Sequence, residues 1–161
     1  AIVAGAILNP DTRARLLKPD GGEWFTGEQG RIHADLNKVW PRRLGTTPAA
    51  MTRALSGHGA KRGIGYRWRC FRGSRDGLSD VLAAVTEGLP VAMLIGGRGI
   101  PRHWVLIVDS SDDGATGTVL QCYEPSSGRV VPVELSAVRA ARIAGLGFPR
   151  PFVFVVADRP P

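Results

Sequence analysis

The sequence predicts an α+β domain in which helices come first and an antiparallel sheet follows. Up to about residue 62, apolar residues recur at helical spacing between proline and glycine punctuation. From residue 64 onward, short apolar or alternating runs of strand length dominate, with two short helical stretches among them. Hydrophobic residues make up 43% of 161 residues, enough for one core. The chain therefore reads as one domain over 1–161, with a helical N-terminal extension over 1–44 and the main body over 45–158.

Asn9-Pro10 supplies a cap and a proline at the first helical position, leading through Ala14, Leu16 and Leu17 to the Pro19-Asp20-Gly21-Gly22 stop. Over 28–40, Ile32, Leu36, Val39 and Trp40 share one helical face, and Pro41 ends the segment. Thr47-Pro48 repeats the cap-and-proline signal for a helix through Met51 and Leu55, which Ser56-Gly57-His58-Gly59 terminates. Tyr66, Trp68 and Cys70 alternate with Arg67 and Arg69, so this strand is half-buried and Cys70 is expected in the core. An amphipathic helix over 78–85 ends at Gly88. Strands are expected over 91–95, 103–108, 119–123, 130–133 and 152–156, with a helix over 136–143 before the last.

Composition narrows the function. The formal charge is +7, and all but three of the 21 basic residues are arginine, which grips phosphate well. The arginines are scattered, however, and interleave with aromatics only from Tyr66 to Arg72, so no nucleic-acid partner is expected. No apolar run is long enough to span a bilayer. The cysteines and histidines lack metal-ligand spacing, so neither metal nor cofactor is expected. Gly96-Gly97-Arg98-Gly99 follows a strand but opens no helix, which makes it a loop and not a phosphate cradle. Cys70 and Cys122 are too few for a disulfide framework and read as buried free thiols, with a single bridge left open. His33 has no partner motif, and His58 reads as an exposed turn residue. Ends at Ala1 and Pro161 look cut, as in a mature secreted or cell-surface protein or an excised domain.

The chemistry lies in the later strands. His103 opens one apolar strand, and Glu124 closes the next, just before Pro125-Ser126-Ser127-Gly128. If those strands pair, the carboxylate can hold one imidazole nitrogen and aim the other at a third group, the base-plus-orienter half of a nucleophilic triad. The alternatives are a His103 satisfied by a backbone carbonyl, and a Glu124 that caps the Pro125 turn or pairs with an arginine.

Over about residues 45 to 135 the order Gly88-Leu89-Pro90-Val91, His103-Trp104-Val105-Leu106-Ile107-Val108 and Tyr123-Glu124-Pro125-Ser126-Ser127-Gly128 resembles the papain-like cysteine peptidase superfamily. Within it the chain is similar to bacterial double-glycine leader peptidases. The resemblance implies a papain-like fold, with His103 as base and Glu124, in place of the usual aspartate or asparagine, as its orienter. The family nucleophile heads a helix within Cys-Gly-Pro. Here the segment reads Thr46-Thr47-Pro48-Ala49-Ala50-Met51, with Thr46 where cysteine stands. A helix N-terminus lowers a thiol's pKa and receives an oxyanion, whereas a threonine hydroxyl gains far less and would depend on His103. Trp40 takes the position of the family's oxyanion glutamine, and Thr47 and Trp104 are further cleft candidates. Cys122 shares a strand face with Glu124, roughly 6–7 Å along. It is either a relocated thiol or core beneath the cleft.

The resulting expectation is a degenerate domain, without catalysis, that binds a peptide or protein partner. Two alternatives stand beside it. One is an active peptidase, amidase or acyltransferase using His103 and Glu124 with Thr46 or Cys122. The other is a secreted effector or toxin module.

Overall fold

A computed structural model describes residues 46–114 and 117–158. It shows an α+β arrangement of one antiparallel sheet and a few helices. The helices expected over the first 44 residues, with Trp40 and His33, lie outside the described residues.

The first helix, α1 (Pro48–Gly59), begins as its sequence requires. Thr47 is extended, its hydroxyl accepts from the Ala50 N–H at 3.2 Å, and Pro48 takes the first position. It runs past the expected stop, because Gly57 and His58 stay helical and His58 is exposed on the last turn. The chain reverses only after a 3₁₀ turn, Ala60–Arg62, where Gly63 takes the left-handed conformation at φ +68. A Cβ at Gly59 would collide with the Ile64 carbonyl, so glycine there lets the chain fold back tightly.

Six strands follow: β1 (Gly65–Cys70), β2 (Val91–Gly96), β3 (Pro101–Asp113), β4 (Gly117–Glu124), β5 (Arg129–Glu134) and β6 (Arg150–Asp158). Two further helices are α2 (Ser79–Thr86) and α3 (Leu135–Arg139). Every pairing is antiparallel, in the order β1-β6-β2-β3-β4-β5. Strand β3 is longer than its apolar run, because its ladder with β4 continues through polar pairs to Asp113↔Gly117. Backbone pairing needs no apolar side chain, so hydrophobicity alone underestimates such a hairpin. Helix α3 is shorter than expected, since Ala141 adopts φ +53 and ends it.

Alternation along the strands builds two cores. On one face Met93, Ile95, Val105, Ile107, Cys122 and Phe154 pack under α2 and α3, against Val81, Val85 and Val138. On the other, Ala92, Leu106, Val108, Tyr123 and Val155 meet Met51 and Leu55 of α1. Strand β2 is covered on both faces and buried throughout.

Strand β1 departs from its expected burial. Tyr66 is buried under α1, but Trp68 is 49% exposed and Cys70 is exposed, so Cys70 is not a core thiol. Alternation places the three on one face, yet α1 covers only the Tyr66 end of this edge strand. On the opposite face Arg69 is the inward residue. Its guanidinium bonds both Asp76 and Asp80 at 2.6 Å and lies 5.1 Å over the Phe154 ring. Among the described residues, no helix is long and apolar enough to cross a membrane, and no group of three or more His, Cys, Asp or Glu could hold a metal ion.

Candidate functional site

His103 sits where the β2–β3 pairing changes register: Ile95 faces His103, and the next residue, Gly96, faces Pro101. The irregularity depends on glycine, because a Cβ at Gly96 would run into the Ile100 carbonyl. Such a bulge re-aims nearby side chains, here at the start of the apolar run of β3. Further along, Leu106 faces Tyr123 and Ile107 faces Cys122. Continuing that register puts Val105 opposite Glu124 and His103 on the adjoining diagonal, on one sheet face. The side chains meet, with Nε2 of His103 2.6 Å from Oε1 of Glu124.

The turn after β4 holds that carboxylate from the other side. Pro125 cannot continue the ladder, and Gly128 at φ +69 brings its N–H back to the Glu124 carbonyl at 2.9 Å. This curl aims two backbone donors at the side chain: Ser126 N–H reaches Oε1 at 2.9 Å and Ser127 N–H reaches Oε2 at 2.7 Å. Glu124 thus orients His103 and caps the turn at once, two roles the sequence left as alternatives. Burial pushes its pKa up, but the N–H of Ser126, the Ser127 side chain and His103 pull it further down, to about 2.

An ionised carboxylate only accepts hydrogen bonds, so Nε2 of His103 carries the proton. In the neutral ring Nδ1 then keeps its lone pair, and it has no hydrogen-bond partner among the described residues. The arrangement can therefore accept a proton or hydrogen bond at Nδ1 while the anion steadies the ring.

The pair opens on a cavity of about 380 Å³. Its walls come from Ser126, Ser127 and the two ends of the turn, Glu124 and Arg129, together with Val131 of β5 and the 145–148 stretch. That loop is closed by Ile143 N–H donating to the Pro149 carbonyl at 3.0 Å. Gly145 and Gly147 both take φ +81, a backbone only glycine adopts freely, and they present Leu146 and Phe148 to the cavity. The Phe148 ring is 6.5 Å from the His103 ring, centroid to centroid.

The remaining candidates go elsewhere. Trp104, next to His103, points to the opposite face, packs on the α1 core and donates its indole N–H to the Thr46 carbonyl at 2.8 Å. Thr47 spends its hydroxyl on the α1 cap. The structure thus brings His103 and Glu124 together, but neither Thr46, Thr47 nor Trp104 lines their cavity. Cys122 lies on the Glu124 face but is fully buried, and burial pushes its thiol up to about 12. Such a thiol stays protonated at neutral pH and is no nucleophile. It is core beneath the cavity.

The sequence reading passed over the Ser126 and Ser127 N–H donors, Arg129, and the loop that carries Phe148. One signal for the loop was present: Ala144-Gly145-Leu146-Gly147-Phe148-Pro149 alternates glycine with apolar residues and cannot continue a helix. The chain matches no protein-family model, no curated protein and no solved structure, so the site rests on its own geometry: an imidazole, an ionised carboxylate that orients it, and an open cavity beside them.

Proposed function

We propose that the chain binds a peptide segment in the His103–Glu124 cavity and does not cleave it by itself. The observation that carries this reading is the state of the His103 ring. One nitrogen is held by Glu124, while no hydroxyl or thiol of a described residue hydrogen-bonds to the other. Nucleophilic catalysis needs that contact. The thiol on the same strand face is buried, and the threonine in the family's cysteine position belongs to the other sheet face, where Trp104 holds its carbonyl. What is left is a hydrogen-bonding imidazole in a cavity with apolar walls, the make-up of a recognition site.

A second reading, acyl transfer or amide hydrolysis with His103 as base, is favoured by one observation. A carboxylate that holds Nε2 leaves Nδ1 with its lone pair and fixes its direction, which is the geometry a general base requires. One experiment separates the two. The chain is incubated with pooled fluorogenic peptide amides, and separately with fluorophosphonate and iodoacetamide probes mapped by mass spectrometry. The binding reading predicts no turnover, with iodoacetamide labelling confined to the exposed Cys70. Amide turnover that disappears in His103→Ala would sink it and establish the second.

A further inference from the structure

Arg129 is the unexplained charge of the cavity. It opens β5, directly across from Glu124 in the β4–β5 ladder, and lines the same cavity as His103. Proximity suggests that the two ends of this turn neutralise one another. They do not. The hydrogen bonds to Glu124 come from elsewhere, to Oε1 from Ser126 N–H and His103 and to Oε2 from Ser127 N–H. Among the described residues, Arg129 has no ion-pair partner within 4.0 Å, unlike Arg67 with Asp80 and Asp158 or Arg69 with Asp76 and Asp80. Arg102 of β3 and Arg150 of β6 are likewise unpaired among the described residues, but they do not line the cavity and Arg129 does. The contrast matters because a guanidinium matches a carboxylate with two parallel N–H donors, and this one is presented without a carboxylate.

The neighbouring surfaces say what accompanies the anion. Val131, Leu146 and Phe148 make the cavity wall apolar, and Gly145 has no room for a side chain, since a Cβ there would lie 2.9 Å from Cγ1 of Val131. A simple inorganic anion would leave that apolar wall wet. A ligand with a carboxylate beside an aliphatic or aromatic group satisfies both parts. Glu124 adds discrimination, because it holds a negative charge inside the same cavity and repels a carboxylate placed at the His103 end. The anion therefore belongs at the Arg129 end, with its apolar part against Phe148.

We infer that Arg129 is the specificity-determining residue of this cavity, reading a carboxylate on the bound peptide next to an apolar group. The proposal rests on the peptide-binding reading above, and deepens it by naming the ligand chemistry. The carboxylate comes either from a Glu or Asp side chain or from a peptide C-terminus, and these two sources are the arms of the test.

Fluorescein-labelled hexapeptide pools are titrated against the chain by fluorescence anisotropy. In each pool one position is fixed as Glu, Gln, Leu or Lys, and each pool is made with a free and with an amidated C-terminus. A side-chain source makes the Glu pool bind more tightly than the Gln pool. A terminal source makes free-acid pools bind more tightly than amidated ones. Either preference is expected to be tenfold or more, the size of a charge-assisted hydrogen-bond pair. It should vanish in Arg129→Gln, survive in part in Arg129→Lys, and turn toward Lys pools in Arg129→Glu. Pools that bind with no acidic preference, or with one that Arg129→Gln leaves intact, overturn the inference and leave the peptide reading standing.

A second measurement keeps the two failures apart. The backbone amides of Arg129 and Phe148 are followed by NMR during titration with N-acetyl-leucine and N-acetyl-glutamic acid α-amide, and with their neutral amide counterparts. Shifts with an acid alone, abolished in Arg129→Gln, support the anion site even if no peptide pool binds, in which case the peptide reading falls alone. No shift with either acid, or equal shifts with the neutral amides, overturns the role given to Arg129.

Discussion

Two carboxylates of this molecule are almost equally hidden from water, and they are held in opposite ways. Asp76 is 5% exposed and Glu124 is 8% exposed. Each accepts two backbone N–H groups from its own turn, Arg72 and Leu78 for Asp76, Ser126 and Ser127 for Glu124. The difference is the side-chain partner. Asp76 faces a guanidinium that also grips Asp80, and Asp80 takes a second cation from Arg67 at 3.5 Å, so each carboxylate is answered and the cluster closes between β1 and α2. Glu124 faces an imidazole, which keeps a second nitrogen for something else and borders a cavity. A fully answered charge fastens two elements together. A carboxylate answered by a group with a spare valence makes a site.

The largest expected effect tests the fastening. Arg69→Ala leaves Asp76 buried without a cation and strips the guanidinium from the Phe154 ring, so it should cost about 3–5 kcal/mol in urea unfolding. A cost under about 1 kcal/mol would mean the cluster is solvated in solution and the comparison is wrong.

Next in size is the loss of the site's own anion. Glu124→Gln keeps an acceptor for the turn but removes the charge, and should cost about 2 kcal/mol at pH 7. The sign follows from the depressed pKa, which lies at about 2 in the folded chain against an ordinary value of 4.5. Glu124 binds protons more readily when unfolded. Its contribution is therefore complete above the ordinary value and is lost as pH falls toward about 2. Asp76 is also held low: burial would raise it, but Arg69 and the Arg72 and Leu78 N–H groups outweigh that. Acid unfolding should thus persist in Glu124→Gln with a shallower slope over this window. An unchanged slope would show that Glu124 is not ionised as described.

How much of this was legible beforehand depends on what each signal reports. The His103–Glu124 pair was readable because one hairpin joins their strands and each residue sits at a strand end, where spacing alone brings them close. The strands were readable from their apolar cores, and their ends were not, since β3 and β4 go on pairing through polar residues. Thr46 was misleading for a geometric reason. Order along the chain put it in register with a family pattern, but cannot say which sheet face a helix covers. Cys70 failed for lack of cover. Period-two alternation identifies a shared face, and whether anything packs on that face is a tertiary fact. The same edge strand hid its real anchor, because Arg69, between Trp68 and Cys70, reads as solvent-facing until its two aspartates are in place.

A smaller effect checks the helix that the sequence located best. Thr47→Ala removes the hydroxyl that accepts from Ala50 N–H and should lower stability by about 1 kcal/mol, with thermal unfolding as the measurement. Because this cap lies on the α1 side, occupancy of the His103 cavity by any bound peptide should not change. Weaker peptide binding in Thr47→Ala would draw Thr47 back toward the site.

The last prediction probes the separation of the two sheet faces where they come nearest, between residues adjacent in β3. Trp104→Phe keeps the ring on the α1 core and deletes the indole N–H that donates to the Thr46 carbonyl. Thr46 is exposed, so water replaces the lost donor and the cost should stay at about 0.5–1 kcal/mol. The informative readout is the ¹⁵N signal of His103 Nε2, which reports its contact with Glu124. Alternation points His103 away from Trp104, and the Glu124 carboxylate is fixed by its own turn, so the signal should stay where it is in the unaltered chain. If it moved, the imidazole and the α1 terminus would be coupled through the strand, and Thr46 would have to be reconsidered as part of the site. A still signal, with α1 slightly loosened, places the helix and the imidazole in separate halves of the molecule that share only a backbone.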